Sequence, residues 1–243
     1  MKDLGSFKAS RLIAFMLALV MLLCAVPSSA DAAASKFSYS DAQDARQKAL
    51  ECFKICAFSA EYGSASNPLR RWEKTIFVYL GGNVNKDDRN EMNKFIMELA
   101  THCPNMPNIR LVQKQENADI QIWYCPLKEM GNYVPDYVDG NWGFFRYWND
   151  GGNKMTSARI AIASDKNNSA SKRHLLREEL IGAFGLSNDH YLYSDSILYG
   201  EWTTVGQLSD VDWLMLNMLY DPDLKCGMSM DEACRILQTK INK

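Results

Sequence analysis

The stretch HLLREELIGAFGLSNDH, His174–His190, constrains this chain more than any other. At about 100° per residue, Leu176, Leu180, Ala183 and Phe184 fall on one side of a helix, which must therefore lie against a core. Glu179 falls between Leu175 and Ala183, at the edge of that apolar face. Glu178 falls on the other side, between His174 and Gly182. A carboxylate at an apolar edge is costly unless it is paired or used. Burial raises a carboxyl's pKa, which suits a general acid or base. The alternative is a glutamate bonded to backbone or to a tyrosine, holding helices together. Gly185 can take a left-handed conformation and end the helix sharply, turning Asn188 and Asp189 back toward it.

The N-terminus reads as an address rather than as fold. Lys2, Lys8 and Arg11 precede the apolar run Leu12–Val26, and Pro27 and the small residues of SSADAAAS follow. This is the pattern of a signal peptide, with cleavage expected near Ala30 or Ala32. The run is short for a membrane span, and an uncleaved anchor is the alternative. Leu23 before Cys24 argues against a lipid-linked cysteine. Residues 1–32 are thus expected to be removed, leaving 33–243 as one secreted or periplasmic domain with no stable membrane span. The formal net charge of −2 provides no basic field for a polyanion, and no nucleic-acid motif is present.

Export governs the reading of the cysteines. Apart from Cys24 there are six: Cys52, Cys56, Cys103, Cys125, Cys226 and Cys234. In an oxidising compartment an even number points to disulfides. Cys103 with Cys125 and Cys226 with Cys234 are the expected pairs, because each flanks a short connection. Cys52 and Cys56, four apart on a helix, could pair or form half of a metal site.

The pattern of apolar spacing gives a helix over Asp41–Ala60 ended by Gly63 and Ser64, a strand over Thr75–Leu80, and an amphipathic helix over Lys86–Thr101. Strands follow from Ile109 and Ala118. A stretch rich in aromatics and glycine holds a short strand near Phe144–Trp148. SARIAIAS is another strand, with Ala158, Ile160 and Ile162 on one face. After the glutamate helix, Ser209 and Asp212 form a capping box for a helix in QLSDVDWLMLNMLY, and SMDEACRILQTK gives a last one. The expected fold class is α+β, with a mixed sheet first and helices last.

The segment EELIGAFGLSND resembles the long zinc motif HExxHxxGxxH of metzincin peptidases. The overlay puts Glu178 at the first histidine, Glu179 at the general base, Gly182 at the second histidine, Gly185 at the turn glycine and Asn188 at the third ligand. DSILYG resembles the methionine turn of those enzymes, with Leu198 in place of the methionine, and LSDVDWLMLNMLYD resembles the helix after it. A narrower likeness is to DUF2927, a family of exported bacterial proteins of unknown function grouped with zincin-like peptidases. Its pattern, Glu-Glu-x-x-Gln-x-x-Gly-Leu-x-Asn-Asp, is similar to the residues from Glu178 through Asp189. It continues through a Ser-Ile element, here Ser196 and Ile197, to LYDPDLKCGM, Leu219–Met228. The likeness is strongest over 74–228, and Gly182 departs from it where the pattern has glutamine. It implies a metzincin-like single domain.

A catalytic zinc site needs three protein ligands and an open position. The chain has only three histidines, His102, His174 and His190. A rearranged set of His174, Glu178 and His190, or an oxygen-rich calcium site using Asp189 and neighbouring carbonyls, are the alternatives to an expected absence of cofactor. In the aromatic stretch, alternation places Phe144, Arg146 and Trp148 on one face, the better candidate for an exposed substrate-binding surface; a satellite core under a long loop is the other reading. The sequence therefore leads us to expect a catalytically degenerate peptidase that binds a peptide, protein or cell-envelope ligand. Two alternatives stand beside it: a metal-dependent hydrolase with Glu179 as general base, and a structural envelope protein.

Overall fold

The protein is described here by a computed structural model covering residues 34–59, 67–166 and 168–243. The expected leader and its cleavage site, Cys24, and the helix-ending Gly63 and Ser64 lie outside the described residues. Helix α1, Ala42–Phe58, starts where the Asp41 carboxylate accepts the N–H groups of Gln43 and Asp44. Strand β1, Ile76–Gly82, leads into α2, Lys86–His102, which opens with a capping box between Asn85 and Asp88. Strands β2, Ile109–Leu111, β3, Ile120–Cys125, β4, Gly143–Asn149, and β5, Met155–Ala163, follow. Helices α3, Ser169–Phe184, α4, Asp210–Leu219, and α5, Met230–Ile241, complete the chain, and Ser209 and Asp212 form the expected box on α4.

The five strands form one mixed sheet in the order β2-β1-β3-β5-β4. All pairs are parallel except β4 with β5, so the antiparallel strand stands at an edge. Period-2 alternation sorts the side chains. Val78, Leu80, Ile120, Ile122, Ala158, Ile160, Ile162, Phe145 and Tyr147 join the main core with the helices. The opposite face carries Tyr79, Gln121, Arg159 and Arg146 in one row across the sheet. The upper part of that face is roofed by the 3-10 turn Leu127–Asn132 and the loop after it. Cys125, Met130, Val134, Phe144, Ala161 and Ala163 form a second apolar cluster there.

Two expectations are corrected. None of the six described cysteines is in a disulfide. Cys103 belongs to the main core and Cys125 to the second cluster, across the sheet from it. The Cys103 thiol donates to the Leu216 carbonyl at 3.6 Å, and the Cys226 thiol donates to the Arg71 carbonyl at 3.6 Å. Cys52 and Cys56 are both buried in the core face of α1. Burial raises the thiols of Cys52 and Cys103 to about 12 and that of Cys125 to about 11, which makes them poor nucleophiles. The second correction concerns Phe144, which is fully buried in the second cluster rather than displayed. Arg146 is also buried and ion-paired to Asp136 at 2.6 Å, and Trp148 is half-buried. The aromatic stretch is largely a satellite core under a long loop.

Candidate functional site

Helix α3 runs through the interior, and every residue from His174 to Phe184 is buried. Its start is fixed by Asn168, whose side chain accepts the Ser171 N–H at 2.9 Å. Its end is fixed by Gly185 at φ 130, where a Cβ would sit 2.3 Å from the Arg70 carbonyl oxygen. The glycine is thus required both for the left-handed turn and for the close approach of another chain segment. On one flank, Arg177 is fully buried against α2. It bonds Glu91 at 2.6 and 2.8 Å and Glu98 at 2.6 Å, with its guanidinium 4.6 Å from the Phe95 ring centre. A buried arginine needs such partners to offset its desolvation.

The two glutamates have different surroundings. Glu179 is 3% exposed, and its carboxylate lies against the first residue of β4, so that a Cβ on Gly143 would be 2.5 Å from Oε1. Glu178 faces His174 one turn earlier, with Oε2 3.2 Å from Nε2 and both side chains buried. His174 Nδ1 lies 2.7 Å from the Val205 carbonyl, which can only accept, so this nitrogen carries its proton. The other nitrogen, Nε2, faces the Glu178 carboxylate within the buried pair. Trp202 stands edge-on to the His174 ring at 6.0 Å and to Trp142 at 5.3 Å. Trp142 is 38% and Trp202 47% exposed, and Trp142 directly precedes Gly143. One surface indole, Trp202, therefore meets the buried His–Glu pair, and a second, Trp142, packs on it next in sequence to the glycine that Glu179 lies against.

The zinc-ligand slots suggested by the resemblance do not fit the metal. At Gly182 a Cβ would sit 2.5 Å from the Phe145 ring, so the space where a second ligand would project is filled by an aromatic side chain of β4. Glu178 is engaged with His174. Asn188 is committed to helix α1: its amide donates to the Ser59 carbonyl at 2.8 Å and the Cys56 carbonyl at 3.4 Å, and its backbone N–H donates to Cys56 at 3.1 Å. It thereby satisfies orphan carbonyls at a helix end. Asp189 beside it is half-buried. Among the described residues, no three His, Cys, Asp or Glu side chains converge as metal ligands.

His190 belongs to a separate network that sequence reasoning missed. Its Nδ1 accepts the Leu192 N–H at 3.2 Å, so Nε2 carries the proton and donates to Ser196 Oγ at 3.0 Å. Ser196 in turn donates to Asp212 at 2.5 Å and accepts the Leu198 N–H at 3.0 Å. The other Asp212 oxygen accepts the N–H groups of Ile197 and Ser209 and the Ser209 hydroxyl. The serine lies between histidine and aspartate and its proton goes to the carboxylate, so the imidazole does not activate it as a nucleophile. This relay ties the Ser196–Ile197 element to the start of α4. Burial pushes the His190 imidazole down to about 4, against an opposing pull from Asp195. Burial also raises the Asp212 carboxyl, opposed by its bonds from Ser196, Ile197 and Ser209. The one legible signal was Asp212 as a capping residue; its second role needs the loop at 196 folded back onto it.

The segment LYDPDLKCGM is likewise structural. The Arg71 guanidinium donates to the carbonyls of Leu219, Asp221 and Leu224 at 2.6–2.9 Å. Gly227, at φ 87, turns the chain so that the Leu69 N–H donates to the Met228 carbonyl at 2.8 Å and the Gly227 N–H donates to the Leu69 carbonyl at 2.9 Å.

Fold and site together define a mixed α+β domain whose central helix buries a histidine–glutamate pair and a second carboxylate beside surface indoles. The sequence profile of the family described as "Protein of unknown function (DUF2927)" matches residues 46–239, and the chain belongs to that family. No curated protein matches it.

Proposed function

We propose that this protein is a binding protein built on a zincin-like scaffold: a catalytically degenerate, metzincin-like peptidase relative that is exported and holds a peptide or cell-envelope ligand. The observation that carries the reading is the Phe145 ring in the space of the second ligand slot, beside Gly182. The commitment of Asn188 to α1 supports it. The ligand surface is the pair Trp142 and Trp202. Exposed indoles give a large, rigid contact area to a sugar ring or a peptide side chain. Strand β4, which begins beside Trp142, is the sheet edge along which an extended peptide would pair.

The test is a titration of the protein spanning residues 33–243 with a random pentapeptide library and with soluble peptidoglycan fragments, read by tryptophan fluorescence and calorimetry. Saturable binding to one of them, weakened about tenfold in Trp142→Ala and Trp202→Ala, supports the reading. Binding that neither variant changes removes the indoles as the ligand surface.

One observation favours a second reading. Glu179 is a buried carboxylate at the head of β4, the placement a general base would need. In that reading the protein is a metal-dependent hydrolase. It requires about one transition metal per chain, lost in Glu178→Ala and His174→Ala, by elemental mass spectrometry.

A further inference from the structure

On the sheet face away from α3, a groove of about 400 Å³ is lined by Asp119, Gln121, Pro135, Trp148, Ser157 and Arg159. Its size is that of a small-molecule site. Arg159 on β5 stands directly opposite Arg146 on β4 in the antiparallel register. Like charges in that position repel. The acids nearby do not relieve Arg159. Asp136, at φ 58, holds Arg146 at 2.6 Å. Asp119 gives one oxygen to Lys74 at 2.7 Å and the other to the Phe77 N–H at 2.9 Å. Among the described residues Arg159 makes no ion pair and no side-chain hydrogen bond. A half-buried guanidinium with no ion pair, set against a second arginine, is open to an anion from solution.

We infer that this groove binds a small carboxylate ligand with a ring, its carboxylate on the Arg159 guanidinium and its ring on the Trp148 indole. The planar fork of arginine matches a carboxylate in two parallel bonds. Trp148, half-buried at one wall, offers a face for the ring. Gln121 accepts from Gln115 through its oxygen and keeps its amide N–H donors, and Ser157 adds a hydroxyl, so the floor presents donors to an acceptor-rich ligand. Neither Trp142 nor Trp202 lines this groove, and its test reads Trp148 and Arg159 independently of them.

The test is heteronuclear NMR of the isotopically labelled protein, following the Trp148 indole N–H, assigned by its disappearance in Trp148→Phe. The probes are N-acetylphenylalanine, standing for a peptide C-terminus, its neutral amide, and glucuronate, standing for an acidic sugar. The expected result is a saturable shift with one of the two carboxylates, at least about tenfold weaker for the amide and in Arg159→Gln, with Arg159→Lys between. Which carboxylate binds tighter identifies the source. The thermal midpoint of Arg159→Gln should equal or exceed that of the unmodified protein, because the cross-strand repulsion is gone. Equal binding of acid and amide, unchanged binding in Arg159→Gln, or no saturable shift up to about 10 mM would each overturn the inference.

Discussion

Gly182 shows how one residue can close a site. In a helix interior, replacing glycine by alanine ordinarily stabilises by about 1 kcal/mol. Here the added Cβ would meet the Phe145 ring at 2.5 Å, and overpacking of that kind costs about 1–3 kcal/mol. The clash wins, so Gly182→Ala should lower the unfolding free energy in urea, and the same change in a Phe145→Ala background should raise it. His190 makes a prediction in pH. Its folded pKa, about 4, lies below the unfolded 6.5, so the unfolded chain binds the proton first on acidification. Its contribution to stability is therefore complete above pH 6.5 and is lost as pH falls toward 4, by about 3 kcal/mol in all. Asp212 acts in the opposite sense, since its raised carboxyl favours the folded state at low pH. The difference between the native protein and His190→Gln isolates the histidine: the variant should lose less stability between pH 6.5 and 4.

At the level of elements, the relay from His190 through Ser196 to Asp212 is a clamp between a loop and α4. Ser196→Ala would leave a buried carboxylate and a buried imidazole each short of a partner. It should cost about 1–3 kcal/mol by chemical denaturation. The elements themselves were legible where local chemistry decides them. The caps Asn85, Ser209 and Ser229 and the alternation in β5 act within a few residues, and sequence displays them. Helix α3 was legible as a helix but not in its burial. Its polar residues Arg177 and Glu178 are buried because Glu91 and Glu98 arrive from α2 to pair with the arginine and His174, one turn earlier on α3, faces the glutamate. The expected display of Phe144 and Arg146 failed for the same reason. Alternation sorted the faces correctly, but the loop that roofs Phe144 obeys no period.

For the whole molecule, the expected class, α+β with a mixed sheet, is what the chain adopts, although α1 precedes the sheet and α2 lies between β1 and β2. The cysteine pairs were not recoverable, because an even count says nothing of which face of the sheet each thiol reaches. The protein spanning residues 33–243, unfolded without reductant, should titrate all six thiols with a disulfide reagent; fewer would mean that some pair forms. The folded protein should react slowly, as burial raises the thiols of Cys52, Cys103 and Cys125. The proposed function holds that the zincin-like ligand slots are filled or engaged, Gly182 by the Phe145 ring and Asn188 by its bonds to α1. The most direct measurement is a peptide-library cleavage assay with zinc supplied, read by mass spectrometry of new termini, on the native protein and on Glu179→Gln. The account predicts no cleavage by either protein. New termini made by the native protein and abolished in Glu179→Gln would contradict it and establish Glu179 as the base of a working hydrolase.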